Sequence, residues 1–402
     1  MKIKCFLAVY ATALTLLSCN DSDSNLNPLP DNEAQAAITI KVKGTAGTRA
    51  LTAEEAGIGN ENEINSLEFF VFNADNSYQK YYKPASLSSD NQYTFLVDAG
   101  KLTILTAINQ NLGEPSPAPA SLADFKNSCL YKELSLNGTN SRNDISASTG
   151  FAMAAEGVAD VTEGETNTLT LSVRRLLSKI EKPEAAPAGK ITAPTTDLLE
   201  ILGLEKNETV PADLKWTFNG YMVINGIDQS RAFEYENLEN WTRFATASNF
   251  KTTFTPDGAT VETVYSVKND DGGETSNGFL QPAYDKPVYV YENLPTTLQG
   301  GNGAATVFDK DEVVAFIIKG TFSGTGVTDV TRYWRVNLLK DDTWKIFRNS
   351  IYRITMKDIK TVGWSTPREA EEEGPVVNPA ESTISINIEV AEWDVRTQDV
   401  DL

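Results

Sequence analysis

Apolar and polar side chains alternate with a period of two through most of this chain, and the cleanest runs stand near its two ends. Ala37-Ile38-Thr39-Ile40-Lys41-Val42-Lys43 places Ile38, Ile40 and Val42 on one face, the mark of a half-buried strand. Thr383-Ile384-Ser385-Ile386-Asn387-Ile388-Glu389-Val390 does the same with Ile384, Ile386, Ile388 and Val390, and Trp393 and Val395 extend it with a shift. Between them the pattern predicts strands over Ile64–Asn73, Tyr93–Val97, Leu102–Asn109 and a long one over Thr168–Ile180. Further strands are expected over Trp216–Ile224, Val261–Val267, Pro287–Asn293, Glu312–Lys319, Tyr333–Leu338 and Asn349–Ile359. In the last of these, Tyr352, Ile354 and Met356 share one face and Ile351, Arg353 and Thr355 the other.

Turn formers bound these runs, as in Asn73-Ala74-Asp75-Asn76 and Asp98-Ala99-Gly100-Lys101. A single helix is predicted from Ser121 to about Leu130, with Ser121 as cap and Asp124 three positions on. The class is therefore all-β, read as two tandem β-sandwich domains with Greek-key connections and a C-terminal strand. Pro183 and Pro187 set the boundary, giving domains at residues 50–182 and 183–366. Residues 367–402 then comprise a charged, Pro-bearing linker, Pro367 to Pro375, and the terminal strand.

The start of the chain is different in kind. Lys2 and Lys4 precede an apolar run, Phe6 to Leu17, that is shorter than the ~20 residues needed to span a membrane and fits an export signal. It ends in Leu16-Leu17-Ser18-Cys19. A small residue before a cysteine suits a lipoprotein signal peptidase, so residues 1–18 read as signal and Cys19 as the lipidated residue; the competing reading is an ordinary secreted signal that contains a cysteine. Residues 19–49 follow as a polar tether and the first alternating strand. The flexible segment Gly44-Thr45-Ala46-Gly47-Thr48-Arg49-Ala50 holds one arginine that an arginine-specific protease would reach, cutting between Arg49 and Ala50.

Composition narrows the chemistry. The chain has 402 residues, with 35 basic and 55 acidic, a net charge of -20 that argues against nucleic acid as a partner. It contains no histidine, which removes the usual general base and neutral metal ligand. With Cys5 in the signal and Cys19 lipidated, Cys129 has no disulfide partner and reads as a small buried hydrophobe. Asn137-Gly138-Thr139 and Asn207-Glu208-Thr209 read as polar turns, and Arg174-Arg175 as surface or packing charge. The loop 268–274 departs from a calcium-binding loop at Gly272 and Thr275 and reads as a hairpin turn. No metal or other cofactor is expected, and no nucleophile–base pair can be named, so catalysis is not expected.

Spacing alone leaves two readings of the end strands. In one, residues 37–43 fill a groove in the first domain until cleavage frees them, and the terminal strand of another subunit takes their place. In the other, both strands pair within one folded monomer. The chain also resembles the fimbrillins of the Bacteroidales, the Mfa1/FimA-like subunits of type V pili, most closely the minor-fimbria shaft subunit group. The resemblance rests on the lipobox at Cys19, the junction Gly47-Thr48-Arg49-Ala50, the strand Val173–Ile180, the segment Arg348-Asn349-Ser350-Ile351-Tyr352-Arg353-Ile354, and the tail Val390-Ala391-Glu392-Trp393-Asp394-Val395 with Asp399-Val400-Asp401-Leu402.

That resemblance implies a precursor lipoprotein sent to the outer membrane and cut after Arg49. It implies assembly into extracellular fimbriae by donor-strand exchange, with residues 19–49 as propeptide and 383–402 as donor. The partners implied are other copies in a head-to-tail filament, other fimbrial subunits and the protease. An accessory or tip subunit is the alternative role. A surface glycan-binding lipoprotein is the rival class, with Trp241, Trp334 and Trp344 as sugar-stacking candidates, although core and edge packing is the simpler reading of the six tryptophans.

Overall fold

The computed structural model describes residues 35–44, 64–131, 151–185, 190–226, 230–233, 261–268, 274–280, 287–293, 297–298, 307–308, 312–338, 346–373 and 384–392. The first strands are β1 (Gln35–Gly44), β2 (Leu67–Asn73), β3 (Tyr78–Tyr82), β4 (Gln92–Asp98) and β5 (Gly100–Ile108). After helix α1 (Leu122–Ser128) come β6 (Leu130–Tyr131), β7 (Met153–Val161), β8 (Asn167–Arg175), β9 (Leu177–Ile180) and β10 (Glu184–Ala185). Helix α2 (Thr195–Ile201) leads to β11 (Lys215–Ile224), β12 (Ser230–Arg231), β13 (Val261–Lys268), β14 (Glu274–Leu280) and β15 (Val288–Tyr291). The chain continues through β16 (Thr297–Leu298), β17 (Val307–Phe308), β18 (Ala315–Ser323), β19 (Val330–Asn337), β20 (Ser350–Ile359), α3 (Pro367–Glu373) and β21 (Ile384–Glu392).

The class is all-β, as the alternation implied. The first sheet runs β3-β2-β5-β7-β8-β1-β4. β7 and β8 share only the pairs Met153↔Arg175 and Ala154↔Arg174, so the sheet turns over there, and β8-β1-β4 lies against β3-β2-β5-β7. Ile38, Ile40, Val42, Phe69, Val71, Phe95, Ile104 and Val173 meet in the core between these layers. Aromatic contacts tie the layers, with Phe69 and Phe95 at 5.4 Å and Tyr82 stacked on Phe95 at 4.4 Å.

β2 does not alternate because both its faces are covered. Phe70 and Phe72 point away from that core into a second apolar cluster with Phe125, Phe151, Leu176, Phe233, Tyr291 and Ile351. Glu68 is buried on β2 and accepts from Tyr81 Oη at 2.8 Å and from the backbone N–H of Leu112 and Gly113 at 2.7 and 3.2 Å. Those bonds satisfy a carboxylate that would otherwise be costly to bury.

The second half of the chain builds another pair of sheets, β13-β14-β11-β18-β19 and β10-β20-β9-β15, with β21 paired to β20. Tyr221, Val223, Phe316, Ile318, Trp334 and Val336 pack there against Val288, Val290, Tyr352, Ile354 and Met356. The alternation had set those last three residues on one face. Ile351 joins the middle cluster on the opposite side.

Two expectations need correction. The single strand expected over Thr168–Ile180 is two: β8 stays in the first sheet, while β9 pairs with β15 and β20 in the second half of the fold. The switch falls at fully buried Arg175 and Leu176. Asn349, at φ 55°, accepts there from Arg175 N–H at 3.3 Å and Arg175 Nη1 at 3.4 Å, and donates its own N–H to Leu177 O at 2.9 Å. Arg175 is thus an internal brace in the core, whereas Arg174 remains exposed.

The second correction concerns the region expected to be a linker, which opens with α3. Thr366 caps it by accepting from Glu369 N–H at 3.1 Å, and Glu369 Oε2 accepts from Thr366 N–H at 3.3 Å, a reciprocal capping box with Pro367 at the first helical position. Ala370 is buried among Met222, Ile224, Ala315 and Ile317, and Arg335 Nη1 donates to Glu371 O at 2.8 Å. Trp334 follows the simpler of its two readings, core packing, and is fully buried: its ring meets Trp216 edge-on at 5.7 Å and its Nε1–H donates to Thr361 O at 3.2 Å. It offers no face to a sugar. The one helix that was expected does form, with Ser121 Oγ accepting from Asp124 N–H at 3.1 Å.

Candidate strand-exchange site

β1 lies inside its layer. On one side it pairs antiparallel with β4, from Gln35↔Asp98 to Lys41↔Gln92, and on the other it runs parallel to β8, from Ile38↔Asn167 to Gly44↔Val173. Ile38 and Ile40 are wholly inaccessible and Val42 nearly so, which is why these three apolar residues alternate with Thr39 and Lys41. Further bonds secure the strand: Asn167 Nδ2 donates to Ala37 O at 3.0 Å, Val42 N–H to Asn91 O at 3.0 Å, and the hydroxyls of Thr39 and Thr94 lie 2.8 Å apart.

Nothing but β1 pairs with β4 among the described residues. The floor beneath β1 is apolar, made by residues of β2, β5 and β7. Taking β1 away would therefore open a hydrophobic slot between two unpaired strand edges.

β21 occupies the other kind of position. It pairs antiparallel with β20 along nearly the whole strand: Ile384↔Ile359, Ile386↔Met356, Ile388↔Ile354 and Val390↔Tyr352. β9 and β10 run along β20 as its parallel partners. Among the described residues β21 has no second strand partner. The structure does not bring β21 to β1; each lies in its own sheet. Cys19, Arg49, Ala50 and Trp393 fall outside the described residues, as do Trp241 and Trp344.

Among the described residues no three His, Cys, Asp or Glu side chains stand together as a metal site. Cys129 is buried, and that burial pushes its thiol up to about 12, which keeps it protonated and inert. No helix of the described residues is long and apolar enough to cross a membrane.

Residues 36–186 match the family model of the major fimbrial subunit protein FimA, and residues 335–399 match that of the C-terminal part of the type IV major fimbrial subunit, fimbrillin. This chain belongs to the fimbrillin family. All but the first residue of β1 and the whole of β21 lie within the matched segments.

A fimbrilin from Porphyromonas gingivalis superposes on this fimbrillin with a TM-score of 0.52 at 14% identity, covering 91% of this chain and 99% of that one. A structure from Parabacteroides distasonis titled as a cell adhesion protein gives 0.50 at 15%, covering 89% and 100%. At such identities the likeness speaks to fold. A search of curated proteins returned no match. As a fimbrillin the chain is a structural subunit of cell-surface fimbriae and not an enzyme.

What sequence reasoning missed about this fimbrillin's site is its framing. The alternation of β1 was plain, but neither its two-sided pairing nor the parallel partner β8 leaves a local mark.

Proposed function

We propose that this fimbrillin is a shaft subunit that polymerises by protease-triggered donor-strand exchange. The carrying observation is the position of β1: an apolar strand framed by β4 and β8 that ends a few residues before Arg49. Hydrolysis between Arg49 and Ala50 would cut the covalent link between this strand and the body of the subunit. The groove lined by β4 and β8 would then take residues 384–390 of another subunit, with Ile384, Ile386, Ile388 and Val390 on the inward face and Trp393 extending the contact.

Three or four such side chains at ~1.5–3 kcal/mol each give roughly 5–12 kcal/mol before ordering costs, enough for a durable joint. Groove and donor stand at opposite ends of one chain. The contact is then heterologous and propagates head-to-tail into an open filament, with other fimbrial subunits joining by the same device. Residues 1–18 act as signal, Cys19 carries the lipid that holds the precursor at the outer membrane, and residues 19–49 are removed as propeptide by an arginine-specific protease. Residues 50–182 and 183–366 are the two tandem Greek-key domains, the first lending β9 to a sheet of the second, and 367–402 carry the donor.

Possession of both a cleavable arginine and a donor-like tail favours a shaft role over a tip or accessory one. A glycan-binding role draws less support, because Trp334 is occupied inside the core. Treating purified precursor with an arginine-specific protease should yield a chain beginning at Ala50 that forms SDS-resistant ladders. Complete cleavage that leaves only monomers would overturn the reading.

A further inference from the structure

Cutting the chain beside a strand does not by itself remove the strand. β1 holds ladders on both sides over Ile38–Lys41, and Ala36, Ile38, Ile40 and Val42 are all buried. The additional bonds from Asn167 to Ala37 O, from Val42 N–H to Asn91 O and between Thr39 and Thr94 also lie wholly within residues 35–44 and their partners. Hydrolysis of the Arg49–Ala50 peptide bond, with water supplying the new carboxylate and amine, breaks none of these contacts. An empty groove would leave β4 with no strand neighbour among the described residues, open one edge of β8, and wet the apolar floor.

Resting on the strand-exchange reading, we propose that the cleaved propeptide strand stays in its groove and leaves only as an incoming donor displaces it. Displacement starts at the Lys43–Gly44 end. There β1 pairs with β8 alone, through Lys43↔Ser172 and Gly44↔Val173, whereas β4 pairing stops at Lys41. The opposite end is also one-sided over Gln35–Ala37, and each end carries one bond beyond the double ladder, Asn167 Nδ2 to Ala37 O at one and Val42 N–H to Asn91 O at the other, so it is the chain break that tells the ends apart. The new chain end made by cleavage lies on the Gly44 side. A cleaved subunit thus waits closed and competent, the groove is never bare, and donor entry rather than proteolysis sets the rate of assembly.

The test uses detergent-solubilised full-length precursor, cleaved and held dilute, with a synthetic peptide of residues 381–402 added over a concentration series. Propeptide release is followed by size exclusion with mass spectrometry. The fragment is expected to co-migrate with the body until peptide is added, and then to leave at a rate proportional to peptide concentration. Release at once on cleavage, or at a rate independent of peptide, would overturn the proposal while leaving strand exchange intact. A peptide that binds at no concentration would instead overturn the exchange reading itself. Val42→Ala should speed peptide-driven release more than Ile38→Ala, and the reverse order would move the entry point to the other end and contradict the stated polarity. The wild-type series decides the main point even where a variant fails to fold.

Discussion

β1 and β21 share one sequence pattern and occupy opposite structural circumstances. Among the described residues β1 is an interior strand with a ladder on each side, and β21 is attached along one side to β20. A strand on a sheet edge can change partners by giving up one ladder, whereas an interior strand must give up two and uncover a core as it goes. Alternation reveals that a strand is half-buried. It does not reveal how many neighbours hold it, and under the strand-exchange proposal that number separates the segment to be displaced from the segment that donates.

Deleting residues 383–402 should have the largest effect on that contrast. The cleaved, truncated protein is expected to fold and accept one full-length donor, yet to stop every chain it joins, so mixing it into wild-type subunits shortens the SDS-resistant ladder. Unimpaired polymerisation by the truncated protein alone would break the comparison. Arg49→Ala should leave the precursor monomeric under protease, with no chain starting at Ala50 in N-terminal sequencing.

The next effect is on stability. Ile40→Ala empties a wholly buried site and should cost the precursor ~2–5 kcal/mol in denaturant unfolding. Smallest is the response of Cys129. Burial raises its thiol pKa to about 12, so at pH 8 the thiol is protonated and thiolate reagents should modify it only upon unfolding. Its labelling rate should be the same in precursor and polymer, because the middle cluster around Phe125 and Phe233 stays closed while the end strands exchange. Faster labelling in the polymer would place a rearrangement in that cluster.

Much of this fold was legible because the period of two is enforced locally wherever one face of a strand is wet. β1 and β4 alternate as written, and Tyr352, Ile354 and Met356 entered one core while Ile351 entered another. What stayed hidden was decided by distant partners. Nothing near Leu176 shows that the strand changes sheets there; Asn349, far along the chain, fixes it. Trp334 could be weighed both as a sugar platform and as core, because the acceptor of its N–H, Thr361 O, is likewise a tertiary neighbour. Helix α3 is the exception. Its capping box, Thr366-Pro367-Arg368-Glu369, was readable, but the glutamates after it suggested a solvated linker, and Ala370 was the only small apolar hint of a buried face. For the candidate site, both strands were visible and their pairing was not, since the choice of β20 as the resting place of β21 is made by the second half of the fold as a whole.

The central claim is that β1 is replaced by the β21 segment of a neighbouring subunit, and a density map of the assembled filament tests it most directly. The account predicts residues 384–390 of one subunit lying between β4 and β8 of the next, with residues 35–44 gone. A filament in which β21 still pairs with its own β20 and β1 still fills its own groove would contradict it.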